Sequence, residues 1–245
     1  MKAMIFAAGL GTRMKPLTDS KPKALVEVEG TPLLELVIRR LKFFGIREII
    51  INLHYLADQI EDFLQKNNNF GVSITLSDER EQLLDTGGGL RKAGWFFDDG
   101  NPFLVCNTDI LSNIDIEALS AFHHSNSAIA TLAVQQRKSS RYLLLDDSNV
   151  LSGWMNVGSG EVRLCRSTAQ NLRMRAFSAF QIISPSLFRY FPQDKTVFSI
   201  IDTYLHAAQF EQIAGFDHSN DVWIDVGTIE KVVEAGAVLK SISLG

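Results

Sequence analysis

Between residues 9 and 23 the chain sets two glycines and four cations, Gly9, Gly11, Arg13, Lys15, Lys21 and Lys23, against a single acid, Asp19. Glycine removes the side chain that would hold a ligand off the backbone, so the peptide groups of Ala8, Gly9, Gly11 and Thr12 can approach an anion closely. Arg13 can give paired hydrogen bonds to phosphate oxygens. Two aspartates stand at comparable points much later: Asp109 after the apolar run PFLVC, and Asp225 in VWIDVGT, between a short apolar stretch and a glycine. An aspartate in such a place is often only a turn or cap residue. The carboxyl edge of α/β strands is also where these folds bind ligands, and Mg²⁺ takes carboxylate oxygens together with substrate phosphates and water. Fixed cations with a divalent metal, and no covalent nucleophile, are what phosphoryl or nucleotidyl transfer needs.

Two better-known phosphate loops are excluded. No GxxxxGK[ST] occurs, and in a GxGxxG reading from Gly9 the third glycine falls on Met14, with Pro16 obstructing the helix that should start there. A nicotinamide-dependent dehydrogenase is disfavoured for the same reason. A second glycine run, DTGGG at residues 85–89, removes side chains from one wall, so that Thr86, Gly87 and Gly88 can seat a base or ribose; the bland alternative is a flexible turn.

The elements that must position these residues follow from hydrophobic period and turn chemistry. A strand over 3–8 leads into the cationic loop. Thr31 is placed to cap a helix with Pro32 in its first turn, running to Gly45. A strand over 48–52, a helix over 55–66 and a strand over 72–76 come next, then a glycine loop over 85–94 that opens a helical turn, and a strand over 102–106 that ends at Asn107-Thr108-Asp109. A helix over 116–123 precedes strands at 128–134 and 142–145 with a hairpin turn at 146–149, where the sheet becomes mixed. Residues 152–175 show no clear period. A strand over 178–183, helices at 185–190 and 197–208, a strand over 212–216 and a helix over 229–239 complete the pattern. It predicts one α/β domain over residues 1–245, a Rossmann-like three-layer α/β/α sandwich with a mixed, mostly parallel central sheet.

At 245 residues and 46% apolar the chain is large enough for a substantial core, while its net charge of −4 argues against a general nucleic-acid surface. Only Cys106 and Cys165 are available as thiols, without a CxxC or Cys/His cluster that would suggest zinc. No secretory leader or long apolar run is read, so a cytoplasmic protein that does not enter the membrane, monomer or homodimer, is expected.

AAGLGTRMKPLT followed by KPKALVEV resembles the signature of the sugar-phosphate nucleotidyltransferases, which join a nucleoside triphosphate (NTP) to a sugar 1-phosphate and release pyrophosphate. The resemblance implies that Arg13 holds the triphosphate and that Lys23 contacts the α-phosphate and the incoming sugar phosphate, while Lys15 and Lys21 are read as surface charge. It implies that Asp109 and Asp225 bind Mg²⁺ and that Ala8, Gly9, Gly11, Thr12 and Thr86 to Gly88 bind the nucleotide. Asn156 is taken as a substrate-binding residue, and with Glu79, Arg137 and Arg141 it is a candidate for lining the acceptor pocket, the alternative for all four being a surface role.

The TGGG form is similar to that of family members acting with UTP on N-acetylmuramate 1-phosphate in peptidoglycan recycling. The absence of a Val-Glu-Lys-Pro segment points the same way, and mannose 1-phosphate guanylyl transfer or another sugar- or alcohol-phosphate transfer is the alternative. A non-catalytic nucleotide-binding regulatory subunit is the rival of another class. Two departures stand out: Ala24 replaces a proline after Lys23, and Ala179 in FSAFQI replaces a glycine, placing a methyl where the family's sugar lies. His54 is read as structural, and Trp95, Trp154 and Trp223 as core or pocket-wall aromatics.

Overall fold

The computed structural model describes residues 1–166 and 171–242. Its contacts divide the chain into two compact units. The first comprises Met1–Leu84, Val105–Ile114 and the chain from Asp221 onward; the second comprises Asp85–Leu104 and Asp115–Asn220.

The first unit opens with β1 (Ala3–Phe6), a fully apolar strand. The hairpin β2 (Glu27–Val28) and β3 (Thr31–Pro32) follows, then α1 (Leu33–Phe43), β4 (Glu48–Leu53), α2 (Ala57–Lys66) and β5 (Ser73–Asp78). β4 pairs in parallel with β1 on one side and with β5 on the other. The Ile-Ile-Ile run of β4 is buried on both faces, which is what a covered parallel sheet requires. One expectation is corrected here. Thr31 does not cap α1, because Thr31 and Pro32 are taken up by pairing with Val28 and Glu27, and Pro32 itself stands at the N-cap without a side-chain bond.

In the second unit the glycine run forms a helix, α3 (Asp85–Lys92), whose glycines 87 to 89 are buried. β6 (Phe103–Asn107) enters the first unit beside β1, and its exit is fixed when the Thr108 amide and hydroxyl both donate to the Phe6 carbonyl. β7 (Ile110–Ser112) follows in the first unit.

The second unit then adds α4 (Ile116–Ser125), β8 (Ala130–Gln135), β9 (Arg141–Leu145), β10 (Leu151–Asn156), β11 (Val162–Leu164), β12 (Arg173–Ile183), α5 (Ile200–Ala207) and β13 (Ile213–Asp217). Asp115 caps α4 through a bond from the Ala118 amide, as a short carboxylate at an N-cap should. The strands are antiparallel in the order β11, β10, β9, β12, with β8 antiparallel to β12 and β13 parallel to β8. The predicted turn at 146–149 joins β9 to β10, with Asn149 at φ +59°. Residues 152–175, which show no sequence period, supply the short hairpin β10–β11 and the start of β12, while 167–170 lie outside the described residues. The chain returns to the first unit with β14 (Trp223–Asp225) and α6 (Ile229–Leu239). The fold is thus α/β with a mixed set of strands, parallel around β1, β4 and β5 and largely antiparallel in the second unit.

β12 begins five residues earlier than its apolar run suggests and bends at a bulge between Phe177 and Gln181. Ala179 sits in that bulge at φ +58°, a left-handed conformation that costs an L-residue about 1 kcal/mol. The alanine that departs from the family's glycine therefore occupies a backbone position that favours glycine. Ala179→Gly is expected to stabilise the fold and raise the urea midpoint by relieving this strain, with a net gain of about 0.5 kcal/mol at most once glycine's larger unfolded-state entropy is subtracted. A lower midpoint on urea unfolding would show that methyl packing outweighs the backbone strain.

Candidate active site

A single apolar cluster within the first unit holds the charged residues in place. Met14, Val26, Val28, Leu33, Leu36, Leu111, Ile224, Val226, Ala235 and Ile242 pack together. These side chains come from the cationic loop, the β2–β3 hairpin, α1, β7, β14 and α6, and they include the immediate neighbours of Arg13 and Asp225. Met14, which disqualifies the dinucleotide fingerprint, is fully buried and anchors the loop.

After β1 the loop makes one 3-10 turn, Thr12–Met14, and then turns away at Pro16. Gly11 lies at φ +66°, and a Cβ there would fall 2.9 Å from the Thr18 methyl and 3.2 Å from the Lys23 Cβ. The buried Thr18 hydroxyl donates to the Gly11 carbonyl at 2.8 Å and closes the loop on itself. Gly9 differs, since a Cβ there would meet nothing within 4 Å. Gly11 thus has a packing and conformational reason, and Gly9 faces open space of the kind an anion needs.

The two aspartates meet through backbone pairing. β14 runs antiparallel to β7 with Asp225 opposite Ile110, and the Val226 amide donates to the Asp109 carbonyl at 2.8 Å. Each carboxylate also faces one of the two expected functional cations. Lys23 Nζ bonds Asp109 Oδ2, with the two side chains only 14% and 21% exposed. Arg13 Nη2 stands 3.9 Å from Asp225 Oδ2, with exposures of 65% and 38%. Gly227 keeps this second pair accessible, because a Cβ at 227 would come within 2.7 Å of Arg13 Nη2 and 2.8 Å of Asp225 Oδ1. The structure therefore brings Arg13, Lys23, Asp109 and Asp225 together in one unit.

The two pairs differ in strength. The Lys23–Asp109 contact is close and shielded from screening, whereas an exposed pair at 3.9 Å contributes at most about 1 kcal/mol. Arg13 loses little on leaving Asp225 for a phosphate. Lys15 and Lys21 form exposed pairs with Asp19 and Glu27, as surface charges should.

Among the described residues no group of three or more His, Cys, Asp or Glu side chains converges as a ready-made metal centre. A carboxylate at the end of β14 and one in the turn just before β7, both beside the cationic loop, nevertheless fit Mg²⁺, which draws its remaining oxygens from phosphates and water. Cys106 lies just before this centre on β6, and burial pushes its thiol up to about 12, so it supplies no thiolate nucleophile.

Thr86, Gly87, Gly88 and Asn156 belong to the second unit. The Thr86 hydroxyl accepts from the Ile200 amide at 3.0 Å, and the amides of Gly87 and Gly88 donate to the Phe198 carbonyl. A Cβ on Gly87 would fall 2.4 Å from the Phe198 ring, so close approach of α3 to this segment is one reason for the glycine. Asn156 ends β10, where its side-chain oxygen accepts from the Gly158 amide at 2.9 Å in a local turn. Arg137 donates to the Phe177 carbonyl, and Arg141 is exposed at the start of β9.

Three lesser readings are settled or corrected. His54 Nδ1 lies 2.6 Å from the Glu79 carbonyl oxygen, a partner in keeping with its structural reading. Glu79 is only 1% exposed, so it is no surface charge. Trp95 is 63% exposed and is not a core aromatic, whereas Trp154 is partly covered and lies under the Arg163 guanidinium. Sequence reasoning overlooked Asn52, whose only signal was an amide at the end of an otherwise apolar strand.

An anion loop following a parallel strand, with two cations each facing a carboxylate at strand exits, defines an α/β protein built to handle phosphate esters. The family model described as Nucleotidyl transferase matches residues 2–145, and the chain belongs to that family. It is 34% identical over 246 aligned residues to N-acetylmuramate alpha-1-phosphate uridylyltransferase of Neisseria meningitidis serogroup B, covering 97% of this chain and 98% of that protein. Mannose-1-phosphate guanyltransferase of Gibberella zeae is 38% identical over 136 residues, 55% of this chain and 37% of that protein. The inositol-1-phosphate CTP transferase from T. maritima shares the fold, with a TM-score of 0.73 at 15% identity, covering 99% of this chain and 97% of that one.

Asp109→Asn and Asp225→Ala are each expected to stay folded and to lower nucleotidyl transfer by at least about a hundredfold. Thermal unfolding checks the first expectation and pyrophosphate release checks the second. Folded variants with near-normal turnover would remove both residues from the metal role.

Proposed function

We propose that this protein transfers a nucleotidyl group from an NTP to a sugar 1-phosphate, with UTP and N-acetylmuramate 1-phosphate the favoured pair and Mg²⁺ the cofactor. The observation that carries the reading is the set of two carboxylates at one end of the β7–β14 ladder, Asp225 closing β14 and Asp109 in the turn before β7, each facing a cation from the opening loop region. The similarity to the Neisseria uridylyltransferase, which runs through nearly the whole of both chains, supports the choice of substrates. The guanyltransferase matches are either shorter, 55% of this chain at 38% identity, or weaker, 93% of this chain at 29% identity in the Yarrowia lipolytica protein, so mannose 1-phosphate with GTP ranks second.

In the proposed reaction an oxygen of the sugar 1-phosphate attacks the α-phosphorus in line. The bond from that phosphorus to the bridging oxygen breaks, and pyrophosphate leaves with the electron pair. Lys23 brings the two anionic reactants together, and Arg13 balances the charge that grows on the leaving pyrophosphate. The backbone around Ala8, Gly9, Gly11 and Thr12 seats the phosphates. Asp109 and Asp225 would hold Mg²⁺, which would supply neutralisation of phosphate charge. Thr86, Gly87 and Gly88 are assigned to the nucleoside and Asn156 to the sugar. No covalent enzyme intermediate is required, in keeping with a buried Cys106. A cytoplasmic role in peptidoglycan recycling follows from the favoured substrate.

The test is pyrophosphate release over a grid of four NTPs against sugar and alcohol 1-phosphates, with Mg²⁺ and with a chelator. The expected result is strong preference for UTP with N-acetylmuramate 1-phosphate and loss of signal with the chelator. A GTP and mannose 1-phosphate preference would move the assignment to guanylyl transfer. Silence across the grid, with NTP still bound, would favour a regulatory subunit.

A further inference from the structure

The first unit contains a buried polar pair that the proposed chemistry does not use. Asn52, near the end of β4, is 3% exposed, and Glu79, just after β5, is 1% exposed. Asn52 Oδ1 accepts from the Ala7 amide at 2.8 Å, and its Nδ2 donates to Glu79 Oε1 at 2.8 Å. The second carboxylate oxygen of Glu79 accepts from the Leu84 amide at 3.1 Å. The Glu79 backbone is itself pinned, its amide donating to the Leu53 carbonyl at 2.7 Å and its carbonyl accepting from the Gln82 amide. These bonds link three adjacent strand exits. Ala7 follows β1 directly and leads into Ala8, Gly9 and Gly11, and Leu84 is the residue before Asp85 and Thr86.

Such a pair is a poor way to obtain stability. Burying a carboxylate and an amide costs desolvation that their mutual bonds barely recover, and apolar side chains would fill the same strand ends at least as well. What hydrogen bonds supply and apolar contact does not is direction. The Ala7 amide is held to one orientation, and that sets the starting angle of the peptide groups that follow it.

We propose that Asn52 and Glu79 are positioning residues for nucleotide binding: Asn52, held in place by Glu79, acts through the Ala7 amide to fix the backbone segment from Ala8 to Thr12 that is assigned to the NTP. The inference rests on the nucleotidyl-transfer reading for what that segment binds, but not for the hydrogen-bond network itself.

The test uses the full chain and the variants N52A, N52D, E79Q and N52D/E79Q. N52D alone sets two carboxylates against each other, and E79Q alone cannot both accept from Asn52 and accept from Leu84 with two oxygens. In the double variant the new carboxylate at 52 accepts from Ala7 and from the new amide at 79, whose remaining oxygen accepts from Leu84. All three bonds and the net charge are kept. KM is measured for UTP and for N-acetylmuramate 1-phosphate, UTP and GTP affinity is measured by direct titration, and unfolding is followed by heat.

Each single variant is expected to weaken NTP binding about tenfold or more, with KM for the sugar phosphate changed less than about threefold, and N52D/E79Q is expected to return NTP binding to within about threefold of the wild type. NTP affinity unchanged in folded single variants would overturn the proposal. So would a double variant that regains thermal stability but not NTP affinity, which also decides the case if the single variants do not fold. A wild type that binds NTP without transferring it counts against the catalytic reading alone, since the titrations still score the variants.

Discussion

The charged centre of this protein depends on the antiparallel pairing of β7 with β14. Asp109 reaches its place from β6 through one short turn, but Asp225 arrives only after the chain has passed through most of the second unit. The backbone bond from Val226 to Asp109, with the register of Asp225 against Ile110, fixes where the late carboxylate stands beside the early one. Leu111, Ile224 and Val226 bury the apolar side of that ladder against Met14 and the β2–β3 hairpin. The same packing therefore sets the ladder and the cationic loop. A carboxylate pair placed this way has fixed geometry at low entropic cost, which is the main contribution a protein can make to a phosphoryl-type transfer.

The cations show a division of labour that follows from burial. Lys23 is shielded and close to Asp109, so its charge is felt strongly at short range and is weakly screened. Arg13 is mostly in solvent and loosely held, so it can leave its carboxylate for another anion at little cost. Gly227 is what permits the loose pair, since any side chain there would press on the guanidinium and the carboxylate together. The glycines of the site thus have different reasons: conformation and packing at Gly11, helix approach at Gly87, and clearance at Gly227.

Much of this was legible in the sequence because it rests on local rules. The strand, loop and helix order, the hairpin turn at 146–149 and the bounds of α6 follow from period and turn residues, and the four charged residues stand out as charges placed after apolar strands. The parts that were not legible depend on contacts between distant segments. Thr31 and Pro32 carry a good helix-start signal, yet pairing with Glu27 and Val28 claims them first. The glycine run at 87–89 reads as a loop that only opens a helical turn, but the second unit takes the glycines themselves into the helix and buries them against the Phe198 segment. The early start of β12 is hidden by a bulge whose left-handed residue is an alanine, where only a glycine would have announced it. Asn52 and Glu79 gave no signal of partnership, since nothing local says that an amide ending one strand will meet a carboxylate beyond the next.

The central claim is that Lys23 and Asp109 work as one unit at the point of transfer. The direct test is a double-mutant cycle on kcat with Lys23→Ala, Asp109→Asn and the two combined, each confirmed folded by thermal unfolding. Residues that act together lose most of their effect with the first substitution, so the account predicts a double variant no slower than the slower single one within about threefold. Losses that multiply across the cycle, or a single variant that keeps near-wild-type kcat, would contradict it.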